Sequence, residues 1–344
     1  MPLPPDRKAI GWKWVFQLKE NADGLINKFK ARFVAKGFNQ VQGFDFSPVV
    51  KPVTIRLILT LAVINQWKLF QLDVNNAFLN GLLNESVYMS QPPGFKDSNS
   101  SLVWRLNRAL YGLKQAPREW FERLQFTLIQ FGFVASKHDP SLFIYAASVY
   151  LLVYVDDIII SGSSIQLIQQ LTSQLNAKFS LKQLGQLDYF VGIEVKTLSD
   201  SSLLLTQSKY IRDLLQKTNM TQAQVISSPT TSSCKLTTTG SDLFTDPTMY
   251  RSVVGALQYL TITRPVISFA VNKVCQFMPN PLDTHWAAVK IILRYLKGMV
   301  LYGLHLRPAA LGQPYSIRAL CDADWHQTLM IDVLLLVRSY ILWS

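Results

Sequence analysis

The chain has 344 residues, 49% hydrophobic and 12% aromatic, which is enough apolar material for two or three domain cores and excludes a disordered chain. Its formal net charge of +12 points to a polyanionic partner, nucleic acid ahead of a membrane surface. Cys234, Cys275 and Cys321 are odd in number and far apart, which excludes a disulfide framework and suits a reducing, intracellular compartment. His138, His285, His305 and His326 do not cluster with them as a zinc site would need.

Met1-Pro2-Leu3-Pro4-Pro5 runs into charge, so no signal peptide is expected, and no apolar run approaches the ~20 residues of a membrane span. Residues 1–60 hold ten Lys/Arg against four Asp/Glu, half of the whole excess. Residues 12–18 alternate, with Trp12, Trp14, Phe16 and Leu18 on one face and Lys13, Gln17 and Lys19 on the other. Asn21-Ala22-Asp23-Gly24 signals a turn. A second alternating strand, 27–36, then places Lys28, Lys30 and Arg32 opposite Phe29, Ala31 and Phe33. This cationic face is either a solvated surface or one that meets phosphates.

An apolar helix is expected over 54–67, just after Pro52, followed by a short strand, 69–72, that ends on Asp73. An acid there is ordinarily a strand terminator; it is also a candidate metal ligand. Pro92-Pro93-Gly94 marks a loop, and a strand follows at 102–106. A helix opening near Pro117 carries its apolar stripe on Trp120, Phe121, Leu124, Leu128 and Phe131. The loop before it offers Lys114, Gln115 and Arg118 as donors to phosphates or bases.

Tyr154-Val155-Asp156-Asp157 lies between two β-branched runs, 149–153 and 158–160, which reads as a hairpin with the acids at its tip. Consecutive side chains of a flat strand point to opposite faces, so both carboxylates can serve one site only where the chain turns. An Asp-Asp pair in a turn is often merely solvated. Two carboxylates about 4 Å apart repel by roughly 4 kcal/mol at an effective dielectric near 20, and a divalent cation removes that cost. Asp73, 83 residues ahead of Asp156, is the candidate third acid.

Ser163 or Ser164 can cap a helix running to about residue 178. A strand over 187–195 pairs with 203–206, and a short basic helix covers 209–217. The Ser/Thr-rich stretch 221–246 reads as a linker. Helices near 248–262, 266–278 and 283–297 precede strands at 301–306 and 315–320, then Asp322-Ala323-Asp324-Trp325. There is no internal repeat.

Five motifs follow in order: Lys30-Ala31-Arg32-Phe33-Val34-Ala35-Lys36-Gly37-Phe38, Phe46-Ser47-Pro48-Val49-Val50, Gln71-Leu72-Asp73-Val74-Asn75-Asn76-Ala77-Phe78-Leu79, Leu110-Tyr111-Gly112-Leu113-Lys114-Gln115-Ala116-Pro117-Arg118 and Tyr154-Val155-Asp156-Asp157. By these motifs the chain, over roughly residues 10–325, resembles the reverse transcriptase of copia-type LTR retrotransposons. The resemblance implies an α+β, right-hand polymerase of fingers, palm and thumb, followed by a helical connection and a truncated ribonuclease H-like start. Fingers and palm fall in 1–196, a thumb-like segment and linker in 197–246, the connection in 247–299 and the remnant in 300–344.

The same resemblance makes Asp73, Asp156 and Asp157 the catalytic carboxylates, holding two magnesium ions that manganese can replace. Lys30 and Arg32 match triphosphate-binding residues, and Val74, Ala77, Phe78 and Gln115 line the nucleotide position. Phe78 would exclude a 2′-hydroxyl and Gln115 would lie beside the sugar. Tyr189-Phe190-Val191-Gly192 resembles a primer-grip turn, and Lys182 would protonate pyrophosphate. The implied partners are a primer on an RNA or DNA template and deoxynucleoside triphosphates, with no membrane, in a cytoplasmic particle or the nucleus.

Four departures stand out. After Trp325 the likeness ends, as a shifted reading frame or mis-joined exon would produce. Asp322 matches a first ribonuclease H carboxylate, but the other acids are absent, so no ribonuclease H activity is expected. The Gly43-Phe44-Asp45-Phe46-Ser47 loop is shorter than usual, and the missing protease and integrase regions suggest a fragment. A nonenzymatic, basic nucleic-acid-binding remnant is therefore the competing reading. A membrane-surface protein would need a longer amphipathic helix than 209–217 supplies.

Overall fold

The computed structural model describes residues 1–20, 26–37, 51–97, 99, 101–230, 236–239, 241–308, 318–320 and 340–342. Its contacts divide the chain into two units, Met1–Arg307 and Pro308–Ser344.

In the first unit, β1 (Trp12–Glu20) and β2 (Ile26–Ala35) form the antiparallel hairpin their alternation predicts. α1 (Pro52–Ile64) starts with proline in its first turn, where a missing N–H costs nothing. β3 (Leu69–Val74) follows, then a 3-10 turn at Ala77–Asn80 and β4 (Leu82–Ser90), which pairs with β5 (Val103–Arg108). α2 (Ala116–Gln130) buries Trp120, Phe121, Leu124 and Leu128, the expected stripe. Next come β6 (Val134–Ala135), β7 (Leu142–Tyr145), β8 (Val149–Tyr154) and β9 (Asp157–Gly162). α3 (Ile165–Phe179) is capped by the Ser164 hydroxyl, which accepts from the Leu167 N–H at 3.3 Å.

The chain continues through β10 (Leu181–Gln186), β11 (Tyr189–Phe190), β12 (Ile193–Thr197), β13 (Leu203–Thr206) and α4 (Ser208–Lys217). α5 (Pro247–Leu260), α6 (Ser268–Cys275), α7 (Asp283–Gly298) and β14 (Leu304–Leu306) close the unit. In the second unit, β15 (Arg318–Leu320) pairs antiparallel with β16 (Tyr340–Leu342).

A six-stranded antiparallel sheet, in the order β10-β3-β9-β8-β7-β6, carries the site. Leu72, Val74, Leu151, Val153, Ile158 and Ile160 point to one face and pack with α2 and α3. Leu69, Leu152 and Ile159 point to the other and pack with α1 and the smaller β11-β12-β13-β14 sheet. Burial on both faces explains why β8 and β9 read as continuous apolar runs rather than alternating ones. A third core joins α4 to α5, α6 and α7 through Ile211, Leu215, Tyr250, Val271 and Leu293, so the two expected segments 197–246 and 247–299 share one helical core. Among the described residues no helix is long and apolar enough to cross a membrane.

Three local expectations change. β3 runs through Asp73 to Val74 because β9 and β10 pair with it on both sides. The expected strand 187–195 is two strands, broken where Val191 and Gly192 both take positive φ (48° and 72°), the pattern of a type I′ hairpin turn. β10 escapes a periodicity reading because it is a largely exposed edge strand, with its register shifted beside Gly185 at φ +89°.

The first turn of α1 has neither a capping side chain from Lys51 nor an acid of its own. Asp139, buried at 2% exposure, supplies the cap from 88 residues away: it accepts from the Lys51 N–H (3.1 Å) and the Thr54 hydroxyl. Its other oxygen accepts from the N–H and hydroxyl of Ser141. Burial pushes this carboxyl up, but the four hydrogen bonds outweigh it and hold the group below the usual carboxylate range.

Candidate active site

The β8–β9 hairpin has a two-residue loop, Val155-Asp156, closed by the pair Tyr154 and Asp157. Positive φ at the first loop residue alone (Val155, +55°) is the type II′ pattern, which favours glycine. A β-branched residue there is strained by about 1–3 kcal/mol. Two hydrogen bonds hold the loop. The Trp120 indole N–H donates to the Val155 carbonyl (2.6 Å), and the Val74 N–H donates to the Asp156 carbonyl (2.9 Å). The Val155 side chain packs against the α2/α3-facing core.

Asp73 stands directly opposite Asp157 in the β3–β9 register, and Lys182 stands opposite Asp73 in β10. Directly opposed residues share a face, here the one bearing Leu69 and Ile159. The Gln71 side-chain amide donates to Asp157 Oδ1 at 3.3 Å. Asp156 in the loop completes the group. Burial raises the proton affinity of its carboxyl, and Asp73 adds to the rise, while Lys30 and Arg32 oppose it. Lys30 and Arg32 of the β1–β2 hairpin thus lie near enough to act on Asp156.

The docking of that hairpin follows from one turn. The Ala35 N–H donates to the Tyr111 carbonyl (2.7 Å) and the Gly37 N–H to the Gly112 carbonyl (3.2 Å). Gly112 has φ +90°, and any Cβ there would overlap the Ala35 carbonyl oxygen, so only glycine permits this approach. Tyr111 lies between the two halves of the site: the Arg32 guanidinium is 5.5 Å from its ring centre and the Phe78 ring 4.5 Å. Burial pushes its phenol up, and the negative charges of Asp156 and Asp73 act in the same direction.

The β11–β12 turn borders the same region. Burial, then Glu194, raises the Tyr189 phenol, and Asp157 contributes to the rise. The Phe190 ring meets Tyr154 edge-on at 6.4 Å. Tyr259 of α5 supports the turn: its hydroxyl would be 3.2 Å from a Cβ at Gly192.

The fold therefore brings Lys30, Arg32, Asp73, Phe78, Asp156, Asp157 and Lys182 to one end of the sheet. Phe78 is 8% exposed with its ring on Tyr111. Val74 and Ala77, expected at the nucleotide position, are buried whole at 1% and 0% exposure, main chain and side chain alike. Gln115 is half-buried at the start of α2. Asp322 and the loop over 38–50 lie outside the described residues.

Sequence reasoning missed Tyr111, Trp120 and Gln71. For Trp120 a signal existed, since a buried indole N–H must find an acceptor. Among the described residues no three His, Cys, Asp or Glu side chains close into a ready-made metal cluster. Magnesium is ordinarily held by one or two carboxylates plus substrate phosphates, so an oxygen-only acidic group of this kind fits it. A dication would also reverse the unfavourable charging of Asp156.

A family model described as reverse transcriptase (RNA-dependent DNA polymerase) matches residues 1–232. The chain is 47% identical over 332 residues to the retrovirus-related Pol polyprotein from transposon RE2 of Arabidopsis thaliana, covering 94% of this chain and 22% of that protein. It is 48% identical over 334 residues to the corresponding polyprotein from transposon RE1 of the same plant, again 94% and 22%. With the Pol polyprotein from transposon TNT 1-94 of Nicotiana tabacum it shares 40% over 313 residues, 86% of this chain and 24% of that one. The chain thus spans less than a quarter of each of these relatives.

Proposed function

Because the chain belongs to the reverse transcriptase (RNA-dependent DNA polymerase) family, in the branch carried by copia-type Pol polyproteins, we propose that it is the polymerase module of such an element. On this reading it adds deoxynucleotides to a primer 3′-hydroxyl on an RNA or DNA template. The supporting observation is the pairing of Asp73 with Asp157 beside Asp156, a carboxyl that responds to Asp73, Lys30 and Arg32 together.

The β1–β2 hairpin then acts as fingers, the six-stranded sheet as palm, and α4 to α7 as thumb and connection. Asp73, Asp156 and Asp157 would hold two magnesium ions, which lower the pKa of the attacking hydroxyl and neutralise charge on the triphosphate. Lys30 and Arg32, whose charges act on Asp156, would bind the triphosphate. Phe78, braced by Tyr111, fills the space a 2′-hydroxyl would need. Lys182, which pairs with Asp73 across the β3–β10 ladder, would give a proton to the leaving pyrophosphate. The β11–β12 turn orients the primer end through its backbone. Because the donors and charges are fixed in advance, little reorganisation accompanies the reaction.

Primer extension by the purified chain on an RNA template tests the proposal. Extension is expected with magnesium and deoxynucleotides, with loss on chelation and recovery on adding magnesium back. Salt-sensitive RNA binding without incorporation would instead mark a basic nucleic-acid-binding remnant.

A further inference from the structure

Trp120 lies on α2, apart from every expected substrate contact, yet it is 1% exposed and its indole N–H crosses to the Val155 carbonyl at 2.6 Å. Its ring is fixed on the other side by an edge-to-face contact with Phe179 of α3 at 5.2 Å. The donor therefore approaches from a rigid two-helix support. The residue it holds has φ +55° in a position that favours glycine, and valine left to itself returns to negative φ. Such a return would rotate the Val155–Asp156 peptide and re-aim the Asp156 side chain. It would also break the hydrogen bond from Val74, the residue after Asp73, to the Asp156 carbonyl.

We infer that Trp120 is a positioning residue: its indole N–H locks the Val155-Asp156 loop in the conformation that keeps Asp156 and Asp157 in register with Asp73. The effect on turnover rests on the polymerase reading, whereas the lock itself does not.

A cycle of Trp120→Phe, Val155→Gly and the double variant separates the two. The first readout is exchange of the Val74 amide, whose acceptor is the Asp156 carbonyl. The second is kcat against KM in primer extension. Trp120→Phe is expected to speed Val74 exchange at least about tenfold and to lower kcat about 10- to 100-fold with KM little changed, as a small misplacement of reacting groups does. Val155→Gly in that background is expected to restore both to within a few-fold of Val155→Gly alone, because glycine takes positive φ without strain. Should Trp120→Phe fail to fold, 3-benzothienylalanine at position 120 removes the N–H and preserves the bicyclic shape. Unchanged Val74 exchange, or losses that simply multiply in the double variant, would overturn the inference. Exchange that follows the cycle in a chain without extension activity would uphold the lock and sink the polymerase reading.

Discussion

Asp156→Asn is expected to slow primer extension by about a thousandfold or more while leaving the fold intact or slightly firmer. The two outcomes have one cause. Asparagine preserves the shape of the side chain, and the loop bond from the Val74 N–H goes to the main-chain carbonyl of residue 156, which the substitution does not touch. What disappears is a negative charge that burial and Asp73 both disfavour. The folded state raises the proton affinity of this carboxyl, so ionising it at neutral pH costs stability. The amide avoids that cost. A charge that weakens the fold at the end of a buried sheet is what the role proposed for Asp156 requires. Extension rates and thermal midpoints measured side by side check both halves. A variant that is inactive because it is unfolded would not meet the expectation.

Asp139→Ala is expected to cost about 3 kcal/mol or more, from the opposite kind of acid, one whose charge stabilises the fold. Four donors lose their acceptor at once, and the Lys51 N–H and Thr54 hydroxyl at the start of α1 have no local substitute. Each buried donor left unsatisfied costs about 1–3 kcal/mol, against a total of about 5–15 kcal/mol for a typical domain. The pH dependence has a definite sign. The folded carboxyl lies below its usual range, so its contribution is complete above the unfolded value of about 4 and disappears as pH falls through the folded value. Urea unfolding at neutral pH should separate wild type from variant by the full amount. The gap between the two curves should narrow as pH falls below about 4.

The hairpin bearing Asp156 and Asp157 was legible because its strands are short, β-branched and buried on both faces. The cationic face of β2 was legible from simple alternation. The pairing of Asp73 with Asp157 was not, since the register between strands 84 positions apart is set by packing on both faces of the sheet and leaves no local trace. The break at Val191-Gly192 was hidden from periodicity, because valine is an unlikely occupant of the left-handed region and 187–195 reads as one strand; only the family likeness of Tyr189-Phe190-Val191-Gly192 to a turn pointed to it. β10 was hidden by its exposure. Tyr111 and Trp120 were visible as a motif residue and a core aromatic, but what each touches comes from elements far along the chain. The same holds for Asp139, whose helix begins on the other side of β3. Val74 and Ala77 show the converse: a motif position can be fixed by the core even where it borders a site.

Divalent-ion binding is the most direct measure of whether the acids act together. Titration with Mn2+ followed by electron paramagnetic resonance, in the presence of primer–template and a deoxynucleotide, should give two bound ions in the wild type. Asp73→Asn and Asp156→Asn should each weaken that binding tenfold or more, through residues 83 positions apart. Equal Mn2+ affinity in all three proteins would contradict a shared metal site at the end of this sheet.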